Sequence, residues 1–130
     1  MNATACFRSS IGWITALLCV VACSKEPCAE DCKWFGKCTP KGSECVAATD
    51  ADCRRSDSCR DYGRCTAKEG TCHIGGPADC RQAAPCRLDG RCVPGTKDKC
   101  VAGSDADCAA SDACRARGLC VAMRGVCSKR

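Results

Sequence analysis

Aromatic and large aliphatic side chains are scarce in this 130-residue chain, and no long hydrophobic run follows residue 22. Aromatic residues make up only 4% of the sequence, and much of the 45% hydrophobic fraction comes from 19 cysteines and 19 alanines. These small residues cannot fill an interior as leucine, isoleucine or phenylalanine do, and a domain of about 100 residues needs more apolar volume. We therefore expect covalent cross-links to take the place of a conventional core.

Histidine and closely spaced cysteine pairs are also scarce. His73 is the only histidine, and neither C-x-C nor C-x2-C occurs. Since metal sites usually bring such ligands close together in sequence, metal binding through free thiols is the least favoured interpretation, and no metal or cofactor is expected. No nucleophile with an associated base stands out either, so the sequence does not indicate an enzyme.

What the chain has is cysteine, arranged in a repeating pattern. Cysteine above roughly 8–10% in a short exported chain signals a disulfide scaffold. Sixteen cysteines form four groups based on the spacing C-x5-C-x5-C-x6-C, and they divide the chain into units 28–52, 53–79, 80–107 and 108–130. The groups are Cys28, Cys32, Cys38 and Cys45; Cys53, Cys59, Cys65 and Cys72; Cys80, Cys86, Cys92 and Cys100; and Cys108, Cys114, Cys120 and Cys127. Two disulfides inside each unit, eight in all, is the simplest arrangement. The spacing leaves three pairings open in each unit, and pairing between units also stays open.

Glycine and serine positions repeat with the cysteines. A glycine stands two residues before each third cysteine, at Gly36, Gly63, Gly90 and Gly118. This position fits a helix end in the left-handed conformation. Ser56 and Ser111 fit helix N-caps, and Pro85 fits only a first helical turn, which argues against one long helix from Cys80.

The remaining intervals predict hairpins and loops. The fourth interval of each unit carries Pro or Gly at its middle with Thr or Val beside it, which is typical of tight β-hairpins. The connectors VAATDAD, HIGGPAD and VAGSDAD are small and polar and are expected to be loops. The predicted fold is therefore small and disulfide-rich, with four tandem units, each a short helix plus a tight β-hairpin, and little conventional hydrophobic core. Consecutive units predict a string or compact rod of repeats.

Basic residues recur as well. Arg60, Arg87 and Arg115 follow second cysteines, as Lys33 does in the first unit, and Lys37, Arg64 and Arg91 precede third cysteines. Stacked units would align them into a stripe that contacts an anionic ligand such as polysaccharide. The favoured alternative is that these residues complement helix dipoles and keep the surface soluble. After removal of a signal the net charge is +4 (19 basic minus 15 acidic), and nucleic acid is an unlikely partner.

Three further groups of residues have a functional and a structural interpretation. The pairs Asp50 with Asp52 and Asp105 with Asp107 could ligate calcium, but they fall short of six oxygen ligands, and capping is favoured. The aromatic residues Trp34, Phe35 and Tyr62 could form an exposed binding patch or pack against disulfides. His73 has no counterpart in the other units and is expected in a surface loop.

The N-terminus predicts export. Residues 1–22 contain one charged side chain, Arg8, and then an apolar run from Ile11 to Ala22 that is too short to span a bilayer, as in a signal peptide. The run ends in Val20-Val21-Ala22-Cys23, which resembles the lipobox of bacterial lipoproteins. Simple secretory cleavage after Ala22 is the rival interpretation.

The lipobox resemblance implies a lipidated cysteine. In that family the cysteine thiol carries diacylglycerol and the new amine carries a fatty acid such as palmitate, so Cys23 would hold the chain on the membrane, with 23–27 as a lipidated tether. Cysteine parity agrees, because removing Cys6 and Cys19 leaves 17 and committing Cys23 leaves an even 16. Ser24 resembles the pattern retained at the bacterial outer membrane, on its periplasmic or surface-exposed face.

The lipobox and the tandem cysteine pattern together resemble the cysteine-rich repeat lipoproteins of myxobacteria and their relatives, a family without an assigned activity. The expected function is a structural or interaction module of the bacterial cell envelope, with envelope proteins or anionic polysaccharide as partners. The alternative is a small disulfide-rich protease inhibitor or other secreted binding protein that presents its hairpin tips to a target.

Overall fold

The structure, a computed structural model, describes residues 26–130, which contain all four cysteine units. The predicted signal peptide and Cys23 lie outside the described residues. Repeat 1 contains α1 (Ala29–Phe35), β1 (Thr39–Lys41) and β2 (Glu44–Val46). Repeat 2 contains α2 (Asp50–Arg54), α3 (Asp57–Tyr62), β3 (Thr66–Lys68) and β4 (Thr71–His73). Repeat 3 contains α4 (Pro77–Gln82), α5 (Ala84–Asp89), β5 (Val93–Pro94) and β6 (Cys100–Val101). Repeat 4 contains α6 (Asp105–Ala109), α7 (Asp112–Arg117), β7 (Val121–Met123) and β8 (Val126–Ser128).

The predicted fold class is confirmed. Each repeat ends in its own two-stranded antiparallel hairpin, and the short helices precede it. Within residues 26–130, the buried apolar residues are all cysteines and alanines, with Cys53, Cys65, Cys80 and Cys108 completely inaccessible to solvent. Disulfides therefore occupy the place that large aliphatic side chains take in a conventional domain.

All sixteen cysteines of the repeats are paired, and the pairing is the same in each repeat. The first cysteine bonds the fourth, and the second bonds the third. The first–fourth bridges are Cys28–Cys45, Cys53–Cys72, Cys80–Cys100 and Cys108–Cys127. The second–third bridges are Cys32–Cys38, Cys59–Cys65, Cys86–Cys92 and Cys114–Cys120. The first bridge ties the helical segment to the far strand of the hairpin, and the second closes the loop between helix and hairpin.

Repeats 2 to 4 contain a helix that the sequence analysis assigned to loops. The end of each connector forms the first turn of this helix. Thr49 caps α2 in a capping box with Asp52, and the Ser104 side chain accepts a hydrogen bond from the amide of Asp107 at the start of α6. In α4, Pro77 stands in the first turn. A helix of five or six residues has too few turns to show an apolar periodicity in the sequence, so only its capping residues can indicate it.

The predicted helix ends are confirmed. All four cap glycines have positive φ, between 69° and 76°, in the left-handed region. Ser56 accepts a hydrogen bond from the amide of Cys59 at 3.2 Å, and Ser111 does the same for Cys114 at 3.1 Å. Repeat 1 lacks two residues between its first two cysteines, so it has no capping serine that separates two helices. A single helix, α1, replaces the two helices of the other repeats.

Three hairpins turn through two residues and one through a longer loop. Glu69-Gly70 and Arg124-Gly125 have positive φ at both positions, as a type I′ turn requires. Gly42 has positive φ in repeat 1. The one-residue insertion of repeat 3 lies in the loop after β5, where Lys97 and Asp98 both adopt positive φ. The sequence analysis assigned this interval to a tight β-hairpin, and the hairpin is present with a longer loop.

Neighbouring repeats stack through the cap glycines. A Cβ placed on Gly36 would lie 2.6 Å from Sγ of Cys72 and 2.8 Å from Cα of Cys53. The same approach brings Gly63 against Cys100 of repeat 3, and Gly90 against Cys127 of repeat 4. Gly36, Gly63 and Gly90 therefore each pack on the first–fourth disulfide of the next repeat. The helices α1, α3, α5 and α7 contact one another in succession. We call this row of four helices the helix ladder.

The hairpin tips provide a second contact between repeats. The amide of Ala47 donates to the carbonyl oxygen of Gly70 at 2.9 Å, and the amide of Ala102 donates to that of Gly125 at 2.9 Å. Between repeats 2 and 3 the inserted loop changes the acceptor, and the amide of Ile74 donates to Oδ1 of Asp98 at 2.8 Å. Tips and glycines together join the units into one stacked array.

Candidate functional site

The stripe of arginines predicted to contact an anionic ligand lies exposed on the helix ladder, with a carboxylate beside each member. Arg60 lies 2.9 Å from Asp57 and 2.8 Å from Asp61. Arg87 reaches across to Asp112 of repeat 4 at 2.6 Å, and Arg115 pairs with the same carboxylate. The hydrogen bond from Arg60 lowers the pKa of Asp61, and the same contact raises the pKa of Arg60. A ligand would have to compete with these carboxylates for the stripe.

A second basic row, Lys37, Arg64 and Arg91, precedes the third cysteines. Arg64 lies with its Nε 3.0 Å from Oδ2 of Asp98. This nitrogen is buried and lacks an aligned hydrogen bond, so the contact is an ion pair in which charge matters more than direction. Within residues 26–130, no carboxylate lies within ion-pair distance of Lys37 or Arg91. Lys37 and Arg91 are therefore more available to an anionic ligand than Arg60, Arg87 and Arg115, which are ion-paired.

The second row leads to a groove at the junction of repeats 2 and 3. It has a volume of about 260 Å³, and we call it the junction groove. Its lining residues are Asp61, Tyr62, Arg64, Pro85, Arg91, Asp98, Lys99 and Cys100. The Tyr62 ring is 60% exposed, and the guanidinium carbon of Arg64 lies 5.6 Å from the centre of that ring. The groove thus offers one accessible aromatic face beside several cations.

The electrostatic balance of the junction groove is positive. Asp61 is bound through both of its oxygens by Arg60, which is outside the lining. Asp98 is engaged by Arg64 and by the amide of Ile74. Arg91 and Lys99 have no carboxylate partner within the described repeats, so they remain as two available cations. The groove can therefore bind an anionic group while the Tyr62 ring packs against an apolar face of the same ligand.

A smaller groove occupies the equivalent place between repeats 1 and 2. It has a volume of about 230 Å³ and is lined by Phe35, Lys37, Ser58, Thr71 and Cys72. Phe35 and Lys37 correspond in repeat position to Tyr62 and Arg64. At the junction of repeats 3 and 4, Asp89 occupies the position of the aromatic residue and forms an ion pair with Arg117 at 3.5 Å. The combination of ring and cation is therefore a property of the first two junctions.

His73 lies on strand β4, not in the loop that the sequence suggested. Its Nε2 lies 2.7 Å from the Thr71 hydroxyl, and its Nδ1 lies 3.5 Å from Oδ2 of Asp98. This order of groups matches a nucleophile, base and carboxylate. However, the Thr71 hydroxyl also donates to the Lys68 carbonyl at 3.2 Å, and that bond would have to break before His73 could accept its proton. The chain of contacts instead fastens the inserted loop of repeat 3 onto β4.

The paired aspartates serve as capping and bridging groups in the structure. Oδ2 of Asp52 accepts hydrogen bonds from the Thr39 hydroxyl and the Ala48 amide, both at 3.0 Å. Burial by itself would raise the pKa of Asp52, but these hydrogen bonds and the nearby Arg55 outweigh burial and lower it. Asp50 accepts from the Ala67 amide at 2.8 Å, and Asp105 accepts from the Ala122 amide at 2.8 Å. No cluster of metal-ligating side chains occurs within the described repeats.

The remaining predicted site residues are the disulfide cysteines, the lipidated cysteine and three aromatic residues. The predicted disulfide cysteines are all bonded, whereas Cys23 is outside the described part of the chain. Trp34, Phe35 and Tyr62 are each more than half exposed, so they are surface groups and not packing for the disulfides. Sequence reasoning missed Asp98 and Lys99, because both lie in the lengthened loop after β5. The one-residue insertion in this interval was the available signal.

Comparison with known proteins leaves the function to be argued from this geometry alone. No protein-family model, no curated protein and no solved structure matches the chain.

Proposed function

We propose that the protein is a lipid-anchored repeat lipoprotein of the bacterial cell envelope that binds anionic polysaccharide through its junction groove. The observation that carries the proposal is the groove itself, where the exposed Tyr62 ring lies beside Arg91 and Lys99, two cations without carboxylate partners in the described repeats. Sugar rings have apolar faces that pack on aromatic side chains, and the carboxylate or phosphate groups of an acidic glycan would pair with the cations.

The disulfides support the export part of the proposal. Eight disulfides within residues 26–130 are typical of an extracellular or periplasmic protein, because such bonds are stable in oxidising compartments. In the same residues, no helix has the length and apolar character needed to cross a bilayer. An acylated Cys23 would supply the membrane attachment, and it is the one cysteine after the predicted cleavage site that the disulfides leave over.

The anchor is tested by the intact mass of the mature protein isolated from cells. We expect a chain that begins at Cys23 and carries lipid, with no thiol that alkylates before reduction. A mature chain of unmodified mass with one reactive thiol would contradict the anchor and leave simple secretion.

The groove is tested by calorimetric binding of acidic oligosaccharides, with oligomers of galacturonic acid as the probe and oligomers of galactose as the neutral control. We expect the acidic oligomer alone to bind, with an affinity that falls as salt rises. The double variant Arg91→Gln/Lys99→Gln should weaken binding roughly tenfold or more, because two charge-assisted contacts are lost.

The matched control for the groove is Arg81→Gln/Lys41→Gln. It removes the same charge from exposed residues outside the groove. Equal weakening by the two double variants would show that binding depends on net charge and not on the groove. Equal binding of the neutral oligomer would exclude recognition of an anion.

The inhibitor alternative has less structural support. The tips of repeats 2, 3 and 4 are hydrogen-bonded to the preceding connector, through Gly70, Asp98 and Gly125. A reactive loop must reach into a protease cleft, and these tips are held against their own chain. The tip of repeat 1 at Gly42 is open, since a Cβ there would meet nothing within 4 Å.

A further inference from the structure

Two adjacent aromatic side chains form an exposed pair at the end of α1. Trp34 and Phe35 are 52% and 57% exposed, and no residue of α1 is buried. The same two positions hold Asp61 and Tyr62 in repeat 2, Leu88 and Asp89 in repeat 3, and Ala116 and Arg117 in repeat 4. An entirely apolar pair is therefore confined to repeat 1.

Cations flank the aromatic pair. The ammonium group of Lys33 lies 4.7 Å from the centre of the Trp34 ring. Lys37 follows the helix and, within residues 26–130, has no ion-pair partner. The acidic residues Glu30 and Asp31 lie in the first turn of α1, ahead of the rings. Rings next to ammonium groups suit the boundary between lipid headgroups and acyl chains, where tryptophan concentrates and lysine reaches the headgroups.

The position of this pair in the chain indicates what covers it. Cys23 precedes Pro27 by four residues, which span at most about 14 Å when fully extended. A lipid on Cys23 would therefore hold repeat 1 against the bilayer, whereas repeats 2 to 4 follow farther along the array. The one repeat that the tether holds at the membrane is the one with two adjacent exposed aromatic side chains.

We infer that the C-terminal end of α1, consisting of Lys33, Trp34, Phe35 and Lys37, is a membrane-docking surface that inserts its rings into the lipid interface. The inference rests on the proposed lipid anchor, since the anchor brings this surface to the bilayer. Docking adds a second point of contact to the lipid anchor, and two points of contact restrict rotation of repeat 1 about the tether. The helix ladder then starts at the membrane and leads away from it.

Trp34 reports on this surface without any label, because the only other tryptophan is Trp13 in the predicted signal peptide. The mature protein is reconstituted in vesicles whose phospholipids carry bromine at shallow acyl positions, and Trp34 emission is compared with that in unbrominated vesicles. We expect a blue shift in both vesicle types and loss of most of the intensity in the brominated ones.

Two variants, each of which replaces one exposed apolar residue, distinguish docking from nonspecific hydrophobic binding to the vesicles. Phe35→Ser removes the neighbouring ring and should reduce the quenching of Trp34. In the soluble, unlipidated chain it should lower vesicle binding roughly tenfold, as expected for the loss of a half-buried aromatic contact. Met123→Ser removes a similarly exposed apolar side chain from repeat 4 and should change neither measurement.

The outcomes distinguish the docking inference from the anchor proposal. A lipidated mature protein whose Trp34 emission is neither shifted nor quenched would overturn docking and leave the anchor standing. If the mass shows no lipid, the anchor is wrong, and the free Cys23 thiol can be coupled to a maleimide lipid in the same vesicles. Quenching after that coupling supports the docking surface by itself, and unquenched emission overturns it.

Discussion

Single glycines determine how closely the repeats can stack. Gly63 has a φ of 76°, and a Cβ on it would lie 2.7 Å from Sγ of Cys100. Gly118 has nearly the same φ of 71°, but a Cβ there would meet only the end of the Lys129 side chain at 4.0 Å. The two positions share the conformational requirement, and only Gly63 also has a packing requirement.

We predict that Gly63→Ala destabilises the array more than Gly118→Ala. The left-handed conformation costs about 1–2 kcal/mol for any residue with a Cβ, so both variants lose this amount. Gly63→Ala should lose about 1–3 kcal/mol more, because overpacking against the next disulfide forces the repeats apart. Chemical denaturation followed by circular dichroism measures the difference. Equal losses from the two variants would show that Gly63 does not hold the junction.

Asp52 makes a pH-dependent link between repeats 1 and 2. Its folded pKa is lowered, so its contribution to stability is complete above its unfolded pKa of about 3.9 and is lost as the pH falls through the folded value. Asp52→Asn should therefore destabilise the protein at neutral pH and lose this effect in acid. Urea unfolding midpoints at several pH values test this, with Thr39→Val as a control that removes one hydrogen bond but keeps the carboxylate. A constant difference between wild type and Asp52→Asn would contradict the prediction.

At the scale of elements, the sequence predicted the parts whose geometry only one residue type allows. Gly36 and its three counterparts marked helix ends because glycine alone enters the left-handed region freely. The hairpins were predicted from Pro or Gly at the middle of each fourth interval. Helix α2 was not predicted, because five residues between Thr49 and Arg55 carry no periodic pattern. Capping was favoured for Asp50 and Asp52, but the connector that contains them was predicted to be a loop. The junction groove was not predicted either, because Tyr62 and Lys99 belong to different repeats and meet only through stacking.

In repeats 2 and 4, the first helix is hydrogen-bonded to the first strand of the hairpin. Asp50 bonds the amide of Ala67, and Asp105 bonds that of Ala122. Repeat 3 has Pro77 and Pro94 at these positions, so it lacks both the carboxylate and the amide hydrogen. The strand position thus holds proline where the aspartate is missing.

We predict that Asp50 and Ala67 are energetically coupled. Asp50→Ala alone should cost about 1 kcal/mol, because the Ala67 amide loses a charged acceptor. Ala67→Pro alone removes the same hydrogen bond, so the double variant should lose less than the sum of the single losses. A double-mutant cycle of unfolding free energies measures the coupling. Additive losses would mean that this hydrogen bond contributes nothing to stability.

At the scale of the whole molecule, the disulfides have two different roles. The second–third bridges close short loops inside one repeat, with a sequence separation of 6. The first–fourth bridges close longer loops, with a separation of 19 in repeat 2, and they are also the surface on which the preceding cap glycine packs. The first–fourth bridges of repeats 2 to 4 therefore stabilise both their own repeat and its junction with the preceding repeat.

We predict that removing Cys53–Cys72 is more damaging than removing Cys59–Cys65. Loop-closure entropy assigns about 3 kcal/mol to the longer bridge and about 2 kcal/mol to the shorter one. Replacing both partners by serine in the longer bridge should add the loss of the contact with Gly36, so repeat 1 loosens as well as repeat 2. Amide hydrogen exchange resolved by residue tests this, because faster exchange should extend into α1 for Cys53→Ser/Cys72→Ser and stay within repeat 2 for Cys59→Ser/Cys65→Ser. Exchange confined to repeat 2 in both variants would show that the repeats fold as independent beads, and the junction groove would then have no fixed shape with which to recognise a ligand.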